Sequence, residues 1–409
     1  MSVGVCVINR NGIALAADSA GTFSPNRMFY NSMNKVFSLS YKYTYGAILY
    51  GKLALHNVSM EQILSEFRRF LDEQDCLEDF FEIVPKFQEF IAQKSVYYKF
   101  RFAEVGWCNR IIQLIMNDWG NRIKDAIESG CEEGKEPDQG EGSAIDETKS
   151  KIGEVLDELE IYVSDGMVSS YDVSQYVETS YRAVFDEAVR QKVPKLDNYP
   201  DHKDRFWKLI AQHFNLLMDV DDKSKIGLLF AGYGRNDAFP KYIHVELYSV
   251  IGEVLKFRII EQFAESNSSA KILPLAQSEV VYTFCKGISD KFIDYIPDKV
   301  EKIINAKIDA LPDDFTPEQK EKVKEALSTC RADISGDINS VIRKSNVDPI
   351  LASVSLIPLS EMAFLAESLV NITSLKRTYV LDGNQQTVGG PTDVAILSKG
   401  EGFAWVKKK

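Results

Sequence analysis

Val3-Gly-Val-Cys-Val-Ile8, Asn9-Arg-Asn-Gly12 and Ile13-Ala-Leu-Ala-Ala-Asp18-Ser19 form the stretch whose reading decides the fold. Two short β-prone runs flank a turn signal, which predicts a hairpin of two strands with a tight turn at Asn11-Gly12. The first strand starts directly after Met1 and Ser2. Removal of the initiator methionine would leave Ser2 with a hydroxyl and an α-amine on one residue. An α-amine titrates near ~8, so at neutral pH it can act as a base toward its own hydroxyl. The ordinary reading of Ser2 is a small residue that permits methionine removal. The strand, the turn and the Asp that follow favour a nucleophile position.

Further stretches repeat this theme in a fixed order. They are Ala16-Ala17-Asp18-Ser19, Asn34-Lys35-Val36-Phe37 and Tyr45-Gly-Ala-Ile-Leu-Tyr-Gly51, then Gly227-Leu-Leu-Phe-Ala-Gly-Tyr-Gly234 and Pro240-Lys-Tyr-Ile-His-Val-Glu246. The last is Val388-Gly-Gly-Pro-Thr-Asp-Val-Ala-Ile-Leu-Ser-Lys-Gly-Glu-Gly-Phe-Ala-Trp405. Together with Ser2 and Gly12, this order resembles the proteasome β-subunit and the simpler bacterial proteasome-like peptidases. The resemblance covers roughly the first 70 residues and most of the chain after residue 225. It implies an N-terminal nucleophile hydrolase: an α+β, four-layer αββα sandwich of proteasome type with large helical insertions.

Composition narrows the partners. The chain has 409 residues, 45% of them hydrophobic, enough for a large core and two or three folding units. Acidic residues outnumber basic ones 60 to 48, for a formal charge of −12, and no basic run interleaves with aromatics. Nucleic acid is not an expected partner. The six cysteines lie scattered with no Cys-x-x-Cys spacing, which suits reduced, mostly buried thiols. No signal peptide or membrane-spanning apolar run is read, so the expectation is a cytoplasmic protein that does not engage a membrane.

Residues 1–71 and 223–409 are expected to form the sandwich. The first helix runs from Ser59 to Leu71. Between the halves, Glu78–Lys94, Arg110–Ser129, Lys149–Val163, Val173–Lys192 and Asp201–Met218 read as amphipathic helices, giving a helical lobe over 72–222. Within it Gly130–Glu147, rich in Glu, Gly, Lys and Asp, reads as a flexible loop. Strands return at Lys225–Gly232, Lys241–Val250, Val254–Ile260 and Ala270–Leu275. A further helical segment covers 278–346, with an N-cap at Thr316-Pro317-Glu318. The last helix, Leu359–Ser374, carries an apolar stripe directed at the sheet.

Carried over residue by residue, the resemblance makes Ser2 the nucleophile, Lys35 the ammonium that lowers its proton affinity, and Asp18 the carboxylate that orients Lys35. Their ordinary readings are a strand-end carboxylate for Asp18 and a snorkelling edge lysine for Lys35. Gly51 is the oxyanion candidate through its backbone amide, with Tyr50 as the alternative register. Gly389 and Gly390 read as structural, allowing close backbone approach. The accessory positions depart from the family. Its Gly-Ser-Gly turn becomes Leu275-Ala276-Gln277-Ser278, so Gln277 or Ser278 stands in. Asp382 lies early relative to the final Gly-Gly, and Thr387 or Val388 takes the family's Ser position.

Three functions follow. The leading one is an N-terminal serine amidohydrolase or peptidase acting on a peptide or other amide, with no metal or organic cofactor. The second is a catalytically inactive proteasome-fold scaffold or interaction protein, and the third a non-enzymatic α+β binding module. The resemblance leaves open self-assembly into rings and an ATP-dependent unfoldase partner.

Overall fold

The apolar run that opens the chain becomes the middle of a sheet. A computed structural model of the protein describes all residues except 1–2, 24–27, 31, 134–140, 167–171, 217–224, 265–268, 313–314, 328 and 380–388. In chain order the first strands are β1 (Val3–Asn9), β2 (Gly12–Asp18), β3 (Gly21–Phe23), β4 (Met28–Tyr30), β5 (Val36–Ser38), β6 (Tyr45–Gly51), β7 (Ala54–Leu55) and β8 (Val58–Ser59). Helices α1 (Met60–Asp72), α2 (Ile83–Lys94), α3 (Phe100–Glu133), α4 (Glu141–Gly166), α5 (Ser174–Ser180), α6 (Arg182–Lys192) and α7 (Pro200–His213) follow. Then come β9 (Ile226–Gly232), β10 (Lys241–Ile251), β11 (Val254–Ala264) and β12 (Lys271–Ala276). Next are α8 (Glu279–Lys286), α9 (Asp290–Asp309), α10 (Pro317–Ala326), α11 (Cys330–Ile342), α12 (Asp348–Val354) and α13 (Leu359–Tyr379), and the chain closes with β13 (Thr392–Ser398) and β14 (Gly402–Lys407).

The protein is mixed α+β with antiparallel sheets. One five-stranded sheet has the order β12-β1-β2-β13-β14, the other β11-β10-β9-β6-β5. Both β1 and β2 are buried along their whole length, because each sheet face is covered. Cys6, Ile8, Ile13 and Leu15 of the first sheet share one apolar cluster with Ile48, Tyr50, Leu229 and Tyr242 of the second. On its other face the first sheet meets Met362, Ala366, Leu369 and Val370 of α13. The far face of the second sheet buries Phe67 of α1 and Phe87 and Phe90 of α2. Burying a ring of this size contributes roughly 2–3 kcal/mol, so these aromatics are major contributors to the core on this side.

The lobe has its own core. Ile112, Met116, Ile123, Ile152, Leu156, Phe185, Phe206 and Trp207 pack together across α3, α4, α6 and α7. At its junction with the second sheet, the buried Lys256 donates to the carbonyls of Phe214 and Leu216, just past the end of α7. Burial pushes the Lys256 ammonium down to about 7, against a smaller upward pull from Cys108.

Several elements differ in detail from the sequence expectations. The first turn centres on Arg10-Asn11, since Asn9 pairs with Gly12. Asn9 sets this register: its Oδ1 accepts from the Asn11 amide at 2.8 Å, and its Nδ2 donates to Val354 O and Ile357 O. The flexible loop expected at 130–147 is largely helical, with α3 continuing to Glu133 and α4 starting at Glu141, while residues 134–140 lie outside the described set. Tertiary packing overrides the polar composition there. A Cβ on Gly130 would lie 2.6 Å from Thr148 Oγ1, so the two helices cross closely at that point. Val173–Lys192 divides into α5 and α6 at Tyr181, whose φ of −122° leaves the helical region. The cap at Thr316 is as read: Thr316 and Gln319 form a reciprocal capping box, with Pro317 in the first turn. None of the helices among the described residues is long and apolar enough to cross a membrane.

Candidate functional site

Asp18 ends β2, and Lys35 immediately precedes β5 in the opposite sheet. Because the sheets stack face to face, these two strand ends meet at one end of the inner layer. Lys35 Nζ donates to Asp18 Oδ1 at 2.6 Å, and both residues are 1% exposed. The same oxygen accepts the Val3 amide at 2.9 Å, and Oδ2 accepts the Gly389 amide at 3.2 Å. Three donors therefore surround the carboxylate, which offsets part of the cost of removing it from water. Burial pushes the Lys35 ammonium below the ordinary lysine range, Asp18 pulls it back up, and the charge of Lys409 pushes it down. An ammonium carries three donors and Asp18 takes one; no other described residue accepts from Lys35.

Further contacts fix the surroundings of this pair. Ser19 Oγ donates to Pro391 O at 2.6 Å, and Ser19 O accepts the Met33 amide at 3.0 Å. Asp393, at the start of β13 opposite Ala17, accepts the Lys409 amide at 2.9 Å and pairs with its Nζ at 3.1 Å. Lys409 Nζ also donates to Met33 O. The segment that carries Lys35 is thus held from both sides.

The other expected site residues fall into three groups. Gln277 and Ser278 come beside the start of β1, since Val3 pairs with Ala276 at the end of β12. Ala276 itself has φ of +63°, a left-handed conformation that costs a non-glycine residue roughly 1 kcal/mol or more. Ser278 begins α8 without a side-chain capping bond. Gly51 ends β6, two positions past Leu49, whose amide donates to Lys35 O at 2.8 Å. Its φ of +78° and the Lys225 carbonyl 2.7 Å from where a Cβ would sit require glycine there. Tyr50 is a packing residue through its side chain: it is buried, its ring lies over Gly227, and its hydroxyl is 2.6 Å from His244 Nε2. Ser2, Asp382, Thr387 and Val388 lie outside the described residues.

The sequence reading missed the site roles of Gly389, Asp393 and Lys409. Gly389 had a signal in the Gly-Gly pair, but only the fold turns its amide toward Asp18. Among the described residues no cluster of three or more His, Cys, Asp or Glu could hold a metal ion. Neither a family model nor a curated protein sequence matches the chain.

The two buried histidines give a pH prediction. Burial pushes His244 down to about 4, against a smaller upward pull from Glu246. His213, with its ring 4.7 Å from that of Trp119, is also pushed down to about 4 by burial. Both are neutral in the folded chain but titrate near ~6.5 when unfolded. The stability they contribute is complete above that value and is lost as pH falls toward 4, on the order of 2 kcal/mol each by pH 5. Urea midpoints taken from pH 7 to pH 5 are expected to fall steeply. In a His213→Phe variant the fall should be shallower; an unchanged slope would mean that His213 titrates normally.

Proposed function

We propose that this chain is a cytoplasmic N-terminal serine amidohydrolase or peptidase of proteasome type, on a four-layer αββα sandwich with a helical lobe. The observation that supports this reading best is the double use of Asp18 Oδ1, which holds Lys35 Nζ at 2.6 Å and the Val3 amide at 2.9 Å. The residue after Ser2 is thereby tied to the buried lysine. The donors of Lys35 that Asp18 does not take suit a serine oxygen placed just before Val3. In this mechanism Ser2 Oγ attacks the amide carbonyl while its own α-amine accepts the hydroxyl proton and later returns it to the leaving amine. Lys35 stabilises the oxygen as it loses its proton. The backbone amide of Gly51 is the proposed oxyanion donor.

The reading requires a free Ser2 amine. The intact mass of purified protein is expected to be lighter by one methionine. A folded protein that retains Met1 removes this mechanism, because an acylated amine cannot act as the base.

One observation favours the inactive scaffold as a second reading. The turn after β12 carries Ala276 at positive φ, followed by Gln277, where the family has Gly-Ser-Gly. A Ser2-begun chain that resists β-lactones and boronates would support that alternative.

A further inference from the structure

A cavity of about 190 Å³ lies at the free edge of the second sheet. Its walls include Asn34 just before β5, Val36 and Ser38 of β5, Arg68 of α1, and Trp405 and Lys408 at the end of the chain. β5 is the last strand in its sheet, and no described strand pairs with its outer side. The ladder to β6 uses alternate residues, since Lys35 O accepts from Leu49 N and Leu39 N donates to Tyr45 O. Val36 and Ser38, in the other phase, therefore turn their backbone N–H and C=O groups outward, toward the cavity. Such groups are a template for another extended segment.

The charge of the cavity specifies that segment. The Arg68 guanidinium lies 4.4 Å from the Tyr41 ring centroid, and its buried Nε has no hydrogen-bond partner. Lys408 Nζ sits 4.9 Å from the Trp405 ring centroid. Neither cation forms an ion pair with a described residue, although the chain carries 60 acidic residues. Glu61 is the one carboxylate on the wall, and it accepts from Asn34 Nδ2 at 2.6 Å.

We propose that this edge docks an extended acidic peptide segment, which adds as a strand to β5 and gives a glutamate or aspartate carboxylate to Arg68 and Lys408. Backbone pairing through Val36 and Ser38 supplies the alignment, and the two cations supply the preference for acid. A strand of three residues offers few backbone bonds, so the carboxylate is the main discriminator. The site is independent of the reading of Ser2, because none of its lining residues takes part in that chemistry.

The test is titration of the full chain with acetyl-Val-Glu-Val-Glu-Val-amide, followed by Trp405 fluorescence and calorimetry. Its Gln-for-Glu analogue, a backbone N-methylated version and free glutarate serve as comparisons. The Glu peptide is expected to bind about tenfold more tightly than the Gln analogue and the N-methylated peptide. Arg68→Ala and Lys408→Ala should each lose a similar factor. Lys408 is exposed, so its variant preserves the fold. Equal binding of Glu and Gln peptides, or indifference to both variants, overturns the charge assignment. Indifference to N-methylation, or glutarate binding as tightly as the peptide, would show a free-carboxylate site and overturn strand addition. Absence of peptide binding up to millimolar concentration overturns the proposal altogether.

Discussion

Lys35→Ala is expected to abolish labelling of Ser2 by a β-lactone or boronate, with a loss of at least about 100-fold in labelling rate. It should also destabilise the fold. Lys35 and Asp18 are each 1% exposed, and removing one member of a buried pair leaves an uncompensated charge at a cost of ~3–5 kcal/mol. The Val3 and Gly389 amides still donate to the carboxylate, which places the loss toward the lower end. Two measurements separate chemistry from stability. A Lys35→Met, Asp18→Asn double variant removes both charges and keeps the volume, so its urea midpoint should recover much of the loss while labelling stays absent. If the double variant is labelled at the wild-type rate, Lys35 has no part in activating Ser2.

The second large effect is expected from Gly227→Ala, on the strand that pairs with Tyr50 and Gly51. Gly227 pairs with Tyr50 across β9 and β6, and a Cβ there would lie 1.9 Å from Tyr50 Cζ. The ring has no free direction, because Tyr50 is buried in the layer between the sheets and its hydroxyl is bonded to His244. Overpacking of this kind costs ~1–3 kcal/mol, and the lost hydrogen bond adds about 1 kcal/mol more. A decrease of roughly 3 kcal/mol in urea unfolding, with the slope unchanged, is the expected result. In a Tyr50→Ala background the same substitution should cost under about 1 kcal/mol, since the obstructing ring is gone. Additive effects would show that the ring and the glycine are not in conflict.

Much of the scaffold could be read from local pattern. β1, β2, β9, β10 and α13 are continuous apolar runs or stripes with clear punctuation, and in such segments period and propensity agree. The hairpin turn was displaced by one residue because Asn9, and not Asn11-Gly12, anchors it through bonds to Val354 and Ile357. Those partners are more than 340 positions away, beyond any local signal. The helical ends of α3 and α4 arose in the same way, from a close crossing at Gly130 that composition does not encode.

At the candidate site, the pairing of Asp18 with Lys35 was read through the resemblance, and spacing alone would not have specified it. The Gly389 amide on Asp18, the Lys409–Asp393 pair and the positive φ of Ala276 were not legible. Each depends on how strands distant in the sequence align, and a backbone amide carries no side-chain signature.

The order β12-β1-β2-β13-β14 also has a consequence in time. The hairpin of β1 and β2 is made well before either flanking neighbour, β12 (Lys271–Ala276) and, later still, β13 (Thr392–Ser398). Asp18 meets the amide of Gly389 across 371 positions. At ~5–20 residues per second on the ribosome, β2 waits on the order of tens of seconds for β13. The outer edge of β1 lacks a partner until β12 is made and that of β2 until β13 is, which makes the nascent chain vulnerable to association. The carboxylate that holds Lys35 gains its last donor only when the far end of the chain arrives, so a partly synthesised polypeptide has no completed site.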